Sequence, residues 1–166
     1  MRSLGSALIL ITLSALVNGH DFSQNQLEIL HPWSKPTPPI SKYGVAYFTI
    51  KNTGNQEDIL LQINVPPEVA ESASLHDVLI EGDMMRMREV INGKLIPAAS
   101  MVKFQPGGNH IMLEGLKRPL QIGDKFSLEL IFENTGSIPI QIWVEGKDSP
   151  PPKQHKQHKQ HKQHKH

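Results

Sequence analysis

The chain has 166 residues, of which 38% are hydrophobic and 20% charged, the balance of one soluble domain of ordinary size rather than two. The formal charge of +1 conceals a segregation: Lys153 to His166 holds five lysines and no acid, and without these and Arg2 eleven basic residues face sixteen acidic ones. A net-acidic body is a poor general binder of nucleic acid, and the absence of cysteine excludes disulfides, thiolate nucleophiles, Cys-type zinc sites, iron–sulfur clusters and a lipoprotein anchor.

Met1 to Gly19 reads MRSLGSALILITLSALVNG. One positive charge, Arg2, precedes an apolar stretch from about Ala7 to Val17, and Val17-Asn18-Gly19 offers small residues for cleavage. That is the order of a secretory signal peptide. Eleven residues are too few to cross a bilayer, which needs roughly 20, and no later segment is apolar enough to span one. The expectation is an exported, soluble body over residues 20–148. Cleavage after Gly19 would leave His20 at the new N-terminus, where an amine and an imidazole on one residue can chelate copper; a plain polar chain end is the competing reading.

The body opens on a proline-rich stretch, HPWSKPTPPI at His31 to Ile40, which forbids helix and favours extended or turn structure. Short runs with period-two patterning follow. Val45 to Asn52 ends at Thr53-Gly54-Asn55. Ile59, Leu61, Ile63 and Val65 alternate until Pro66-Pro67. Leu75 to Ile80 precedes a turn at Glu81-Gly82-Asp83, and Met84 to Val90 ends near Asn92-Gly93, a hairpin signal. Met101 to Phe104 leads into Gln105-Pro106-Gly107-Gly108. Phe126, Leu128, Leu130 and Phe132 share one face, as do Ile138, Ile140, Ile142 and Val144. No stretch holds a helical period over three turns. Seven to nine short strands at this spacing predict an all-β antiparallel sandwich or barrel.

After the initiator, every methionine lies between Met84 and Met112, and two histidines of the body, His76 and His110, fall near them. In a strand, Ile111 and Leu113 share one face and His110 and Met112 the other. Met85 and Met87 likewise stand opposite Arg86 and Arg88. Thioether sulfur is soft and neutral and suits Cu(I), while it suits zinc or magnesium poorly. Imidazole adds a stronger donor, and neither group forms disulfides in an oxidising compartment, where thiolates would. Two plainer alternatives stand beside this reading: methionine is a common filler of cores, and a lone histidine is more often a hydrogen-bonded structural residue than a ligand. Trp33 is expected in the core.

The spacing resembles that of the PCuAC family of periplasmic copper chaperones, whose signature is His, ten residues, Met, twenty-one residues, His, one residue, Met. Here ten residues separate His76 from Met87, one separates His110 from Met112, and twenty-two separate Met87 from His110. A turn around Ile91-Asn92-Gly93-Lys94 would absorb the extra residue cheaply. The surrounding words, GDMMRMREV at Gly82 to Val90 and QPGGNHIMLEGLKRPLQIGD at Gln105 to Asp124, are similar too, and the similarity runs from about Ile29 to Val144. Relatives often carry Met directly after the first His, where this chain has Asp77. The resemblance implies a cupredoxin-like β-sandwich binding Cu(I) through His76, Met87, His110 and Met112. It also implies delivery to an apo cuproprotein such as the CuA domain of cytochrome c oxidase, in the periplasm. Met85 is read as packing or a nearby spare donor, and Met84 and Met101 as core or rim. Such a protein works by ligand exchange rather than as an enzyme, and acid should weaken its grip as imidazoles protonate.

Residues 149–166 form a proline boundary and then KQHKQHKQHKQHKH. A tract without apolar residues cannot build a core. His155, His158, His161, His164 and His166 make a multidentate imidazole arm of the kind Cu(II) prefers, and the resemblance supports a copper-capturing extension. A basic arm for anionic surfaces is the alternative. At the level of the whole protein, a copper buffer or resistance protein without a dedicated acceptor competes with the chaperone.

Overall fold

The computed structural model describes residues 22–81 and 84–146. The expected signal peptide, His20, the turn at Gly82-Asp83 and the repeated tail lie outside them. The described chain is all strand and loop. In order come β1 (Phe22–Gln24), β2 (Leu27–Ser34), β3 (Tyr43–Asn52), β4 (Asp58–Asn64), β5 (Ser72–Glu81), β6 (Met84–Glu89), β7 (Lys94–Ile96), β8 (Ser100–Phe104), β9 (His110–Glu114), β10 (Lys125–Phe132) and β11 (Gly136–Val144). No helix among the described residues is long and apolar enough to cross a membrane.

The strands pair in the order β6-β5-β9-β3-β2-β11-β10-β4-β7, with β1 on β2 and β8 on β3. Among the pairings of these named strands, β11 with β2 is the parallel one. Strand β3 organises this sheet. Its first half, Tyr43 to Ala46, pairs with β9, its second half, Phe48 to Asn52, pairs with β8, and β2 runs along its other edge. The inward faces of these strands close on those of β10 and β11 around one apolar cluster that includes Phe48, Ile50, Ile111, Leu113, Leu128 and Ile140. This is the expected cupredoxin-like sandwich.

The alternation expected of β10 and β11 holds throughout: Phe126, Leu128, Leu130, Phe132, Ile138, Ile140, Ile142 and Val144 are all buried. The expected phase of β4 does not hold. Leu60 and Ile63 are buried while Leu61 is 47% exposed. Pairing with β10 runs Ile131 to Gln62 and then Phe132 to Leu60, so Leu61 is an extra residue, and a bulge turns the strand over at that point. Asn92-Gly93 also departs from expectation. It is a turn, with Gly93 at φ 78°, but not a hairpin, because β6 pairs with β5 whereas β7 pairs with β4. A Cβ on Gly93 would stand 2.8 Å from the Leu60 carbonyl, so both the left-handed φ and the close backbone approach require glycine. Trp33 is half-buried rather than in the core. It packs on Tyr47, with ring centroids 4.8 Å apart, and under His31. His31 sits in a bulge between Leu30 and Trp33, and its Nε2 lies 3.0 Å from both carboxylate oxygens of Glu145.

Asp58 ties β4 to the turn between β10 and β11. It is 4% exposed, and its carboxylate accepts the backbone N–H groups of Ile59, Asn134 and Thr135 at 2.8 to 2.9 Å. Burial pushes its pKa up, but these hydrogen bonds outweigh burial and hold it below its ordinary value. A carboxylate depressed in the folded state adds stability above its unfolded pKa, and that stability is lost as pH falls through the folded one. Asp58→Asn is therefore expected to cost about 2 kcal/mol at neutral pH, the scale of hydrogen bonds to a charged group. The difference from the parent should shrink below about pH 4. Urea unfolding at both ends of that window checks this; a pH-independent difference would contradict it.

Candidate metal centre

The His and Met residues sit on three adjacent antiparallel strands. β5 lies between β6 and β9, and its register sets His76 opposite His110 on one side and opposite Glu89 on the other. One rung away, Ser74 faces Met112. One rung the other way, Val78 faces Met87, and beyond it Ile80 faces Met85. Directly opposed residues in antiparallel strands project from the same face. His76, Met87, His110 and Met112 therefore share one face, with a methionine diagonally to either side of the histidine pair. Between them on β9, Ile111 points the other way, fully buried in the core together with Leu113. The same alternation that anchors β9 inside thus places His110 and Met112 on the opposite face.

The two imidazoles stand next to one another, their centroids 5.6 Å apart and their planes tilted by 32°. His110 is 5% exposed, and its Nδ1 lies 2.9 Å from the Gly108 carbonyl. A carbonyl only accepts, so Nδ1 carries the proton and the neutral ring keeps its lone pair on Nε2. On His76, Nε2 lies 3.1 Å from the Ser74 hydroxyl, while Nδ1 is buried and has no hydrogen-bond partner. An orphaned ring nitrogen of this kind costs about 1–3 kcal/mol when nothing binds it. The arrangement fits Nε2–H donating to Ser74 Oγ, with Nδ1 held as a bare donor atom. Ser74 and Gly108 were not singled out by sequence reasoning. Ser74 could have been found, because it lies two residues before His76 and so shares its face. The Gly108 carbonyl carries no side-chain signal.

Exposure is graded across the set. His110 is buried, His76 and Met112 are half-buried, and Met87 is 66% exposed. β6 is an edge strand of the sheet, exposed along its whole length. In the loop after β6, Ile91 is 84% exposed. Met84 and Met101, at 56% and 57% exposure, are rim rather than core. Among the described residues no three His, Cys, Asp or Glu side chains are grouped to hold a metal ion. The side chains that share the face of the histidine pair include the thioethers of Met87 and Met112, soft donors that suit Cu(I) and suit zinc or magnesium poorly. The tail histidines, His155 to His166, lie outside the described residues.

The LpqE-like family model matches residues 27–144, the whole of the strand framework from β2 to β11. The chain belongs to the LpqE-like family. Lxx21020 of Leifsonia xyli subsp. xyli (strain CTCB07), which carries a lipoprotein name, is 36% identical over 100 residues. That alignment takes in 60% of this chain and 59% of the relative, so the chain spans somewhat under two thirds of its length. This member of the family contains no cysteine. The copper-bound PCuAC domain from PmoF2 superposes with a TM-score of 0.63 at 21% identity, over 76% of this chain and 98% of that domain. DR1885 from Deinococcus radiodurans, in its Cu(I) form, superposes with a TM-score of 0.58 at 25% identity, over 77% and 82% of the two chains. The LpqE-like chain thus has the PCuAC fold, as the His and Met spacing suggested.

Proposed function

We propose that this LpqE-like protein is a periplasmic copper chaperone that holds Cu(I) between His76, Met87, His110 and Met112 and delivers it to an apo cuproprotein such as the CuA domain of cytochrome c oxidase. The observation that carries this reading is the β6-β5-β9 register, which sets two imidazoles side by side, one with an orphaned buried nitrogen, and flanks them with two thioethers on the same face. The copper-bound and Cu(I)-bound neighbours of the same fold support it. Four neutral donors leave the ion with its single charge, so binding places no second charge in a half-buried site. Release is ligand exchange: at each step an acceptor's donor atom forms one bond to copper as one of the protein's donors gives one up. No turnover is involved. Export follows from cleavage of residues 1–19, and the lipoprotein name of the Leifsonia relative agrees with an exported protein.

The tail, in this reading, captures Cu(II) through His155, His158, His161, His164 and His166, whose close spacing offers several imidazoles to one ion. The same multiplicity favours a second reading, a copper buffer or resistance protein with no dedicated acceptor. One experiment addresses both. X-ray absorption of the copper-loaded body ending near Pro152 should show mixed nitrogen and sulfur neighbours, and mixing with an apo CuA domain should move the copper stoichiometrically. Oxygen and nitrogen neighbours alone would refute the site. Copper that stays on the body in the presence of the acceptor would favour the buffer.

A further inference from the structure

Met85 has no place among the four donors, yet its surroundings are those of a ligand. It opposes Ile80 as Met87 opposes Val78, so its side chain rises from the same face, one rung farther from the histidine pair. It is 63% exposed, and Ile80 across from it is 74% exposed. Core packing does not account for a thioether there. Val78 and Ile80 bring no hard donor to compete for a metal ion, so the two rungs form an apolar strip edged by two soft sulfurs. The strip runs from the histidines outward along the sheet edge. Its inner end is buried and rigid, with His110 at 5% exposure and pinned by Gly108, and its outer end is open and built from flexible side chains.

We propose that Met85 is the entry and exit ligand of the copper site. This rests on the four-donor reading above. Cu(I) arriving from solvent or from a donor is taken first by Met85 and Met87. It then passes to His76, His110 and Met112 while Met87 stays bound, and release runs the same way backward. Each new bond to His76, His110 or Met112 forms as a bond to Met85, or to a ligand that the donor or solvent still supplies, breaks. The ion remains Cu(I), and no proton leaves, because thioethers and neutral imidazoles donate lone pairs. Met85 therefore governs rates rather than final affinity.

The test presents Cu(I), bound to a chromogenic bicinchoninate chelator, to the full-length protein and follows both transfer kinetics and the equilibrium position. Met85→Leu keeps the size of the side chain at an exposed position, so the fold is preserved. It should slow uptake and release by about tenfold and leave the equilibrium affinity within about twofold. Met84→Leu, on the opposite face, should leave the rates unchanged, and Met87→Leu should lower the affinity itself. Unchanged rates in Met85→Leu overturn the proposal. So does an affinity loss equal to that of Met87→Leu, which would make Met85 a resident ligand, and so does equal slowing by Met84→Leu, which would remove the argument from faces. Unchanged affinity in both Met87→Leu and His110→Ala overturns the four-donor reading, and the relay with it.

Discussion

If the proposed four-donor site holds Cu(I), His110→Ala should lower Cu(I) affinity by about 100-fold or more in a competition titration, and Met112→Leu should lower it by about 10-fold or more. Even residues that only orient metal ligands are worth about 10–100-fold, and a direct donor is worth at least as much. The two variants are complementary. Alanine at the buried His110 leaves a small void and frees the Gly108 carbonyl, so some stability is lost along with the ligand. Leucine at the half-buried Met112 fills nearly the same volume and removes only the sulfur. If affinity falls in both while Met112→Leu melts like the parent, the loss belongs to coordination and not to unfolding. Affinity unchanged in both contradicts the assignment of β9 as a ligand strand.

Phe48→Ala should destabilise the domain by about 3–5 kcal/mol, the range for removing a buried aromatic ring. Phe48 is 2% exposed, and its ring lies 4.5 Å from that of Phe104, its partner across β3 and β8. The loss is large against the roughly 5–15 kcal/mol that holds a typical domain together. It also reaches the candidate metal centre. Phe104 ends β8, and the loop that follows closes with Gln105 N–H donating to the Asn109 carbonyl at 2.8 Å and carries the Gly108 oxygen that orients His110. Thermal unfolding followed by circular dichroism should show a melting temperature lowered by about 10 °C or more. A loss below about 1 kcal/mol would mean that β3 and β8 do not share the packed core described for them.

Much of the framework was legible in the chain because strand periodicity is local. β10 and β11 could be read residue by residue, since their inward side chains recur at every second position. β4 could not. Its reversal at Leu61 depends on which β10 residue it meets, and nothing within β4 records that. The three-residue strands β1 and β7 are too short to show a period and went unread. Asn92-Gly93 announces a turn in any context, but whether the next strand folds back on β6 or crosses to β4 is decided by where each can bury its apolar face.

The same division holds at the candidate metal centre. Composition and alternation alone set the candidate donor types and their pairing in steps of two: His110 with Met112, and Met85 with Met87, each pair on one side of its strand because successive side chains alternate. They also determined, through the absence of cysteine, that any soft-metal site in the body must use thioethers. That β5 lies between β6 and β9, that His76 opposes His110, and that Ser74 and Gly108 hold the two rings becomes visible once the strands are packed together. Strand order and register arise from burying faces contributed by segments far apart in the chain, and a local pattern of two cannot encode which distant strand will lie beside it.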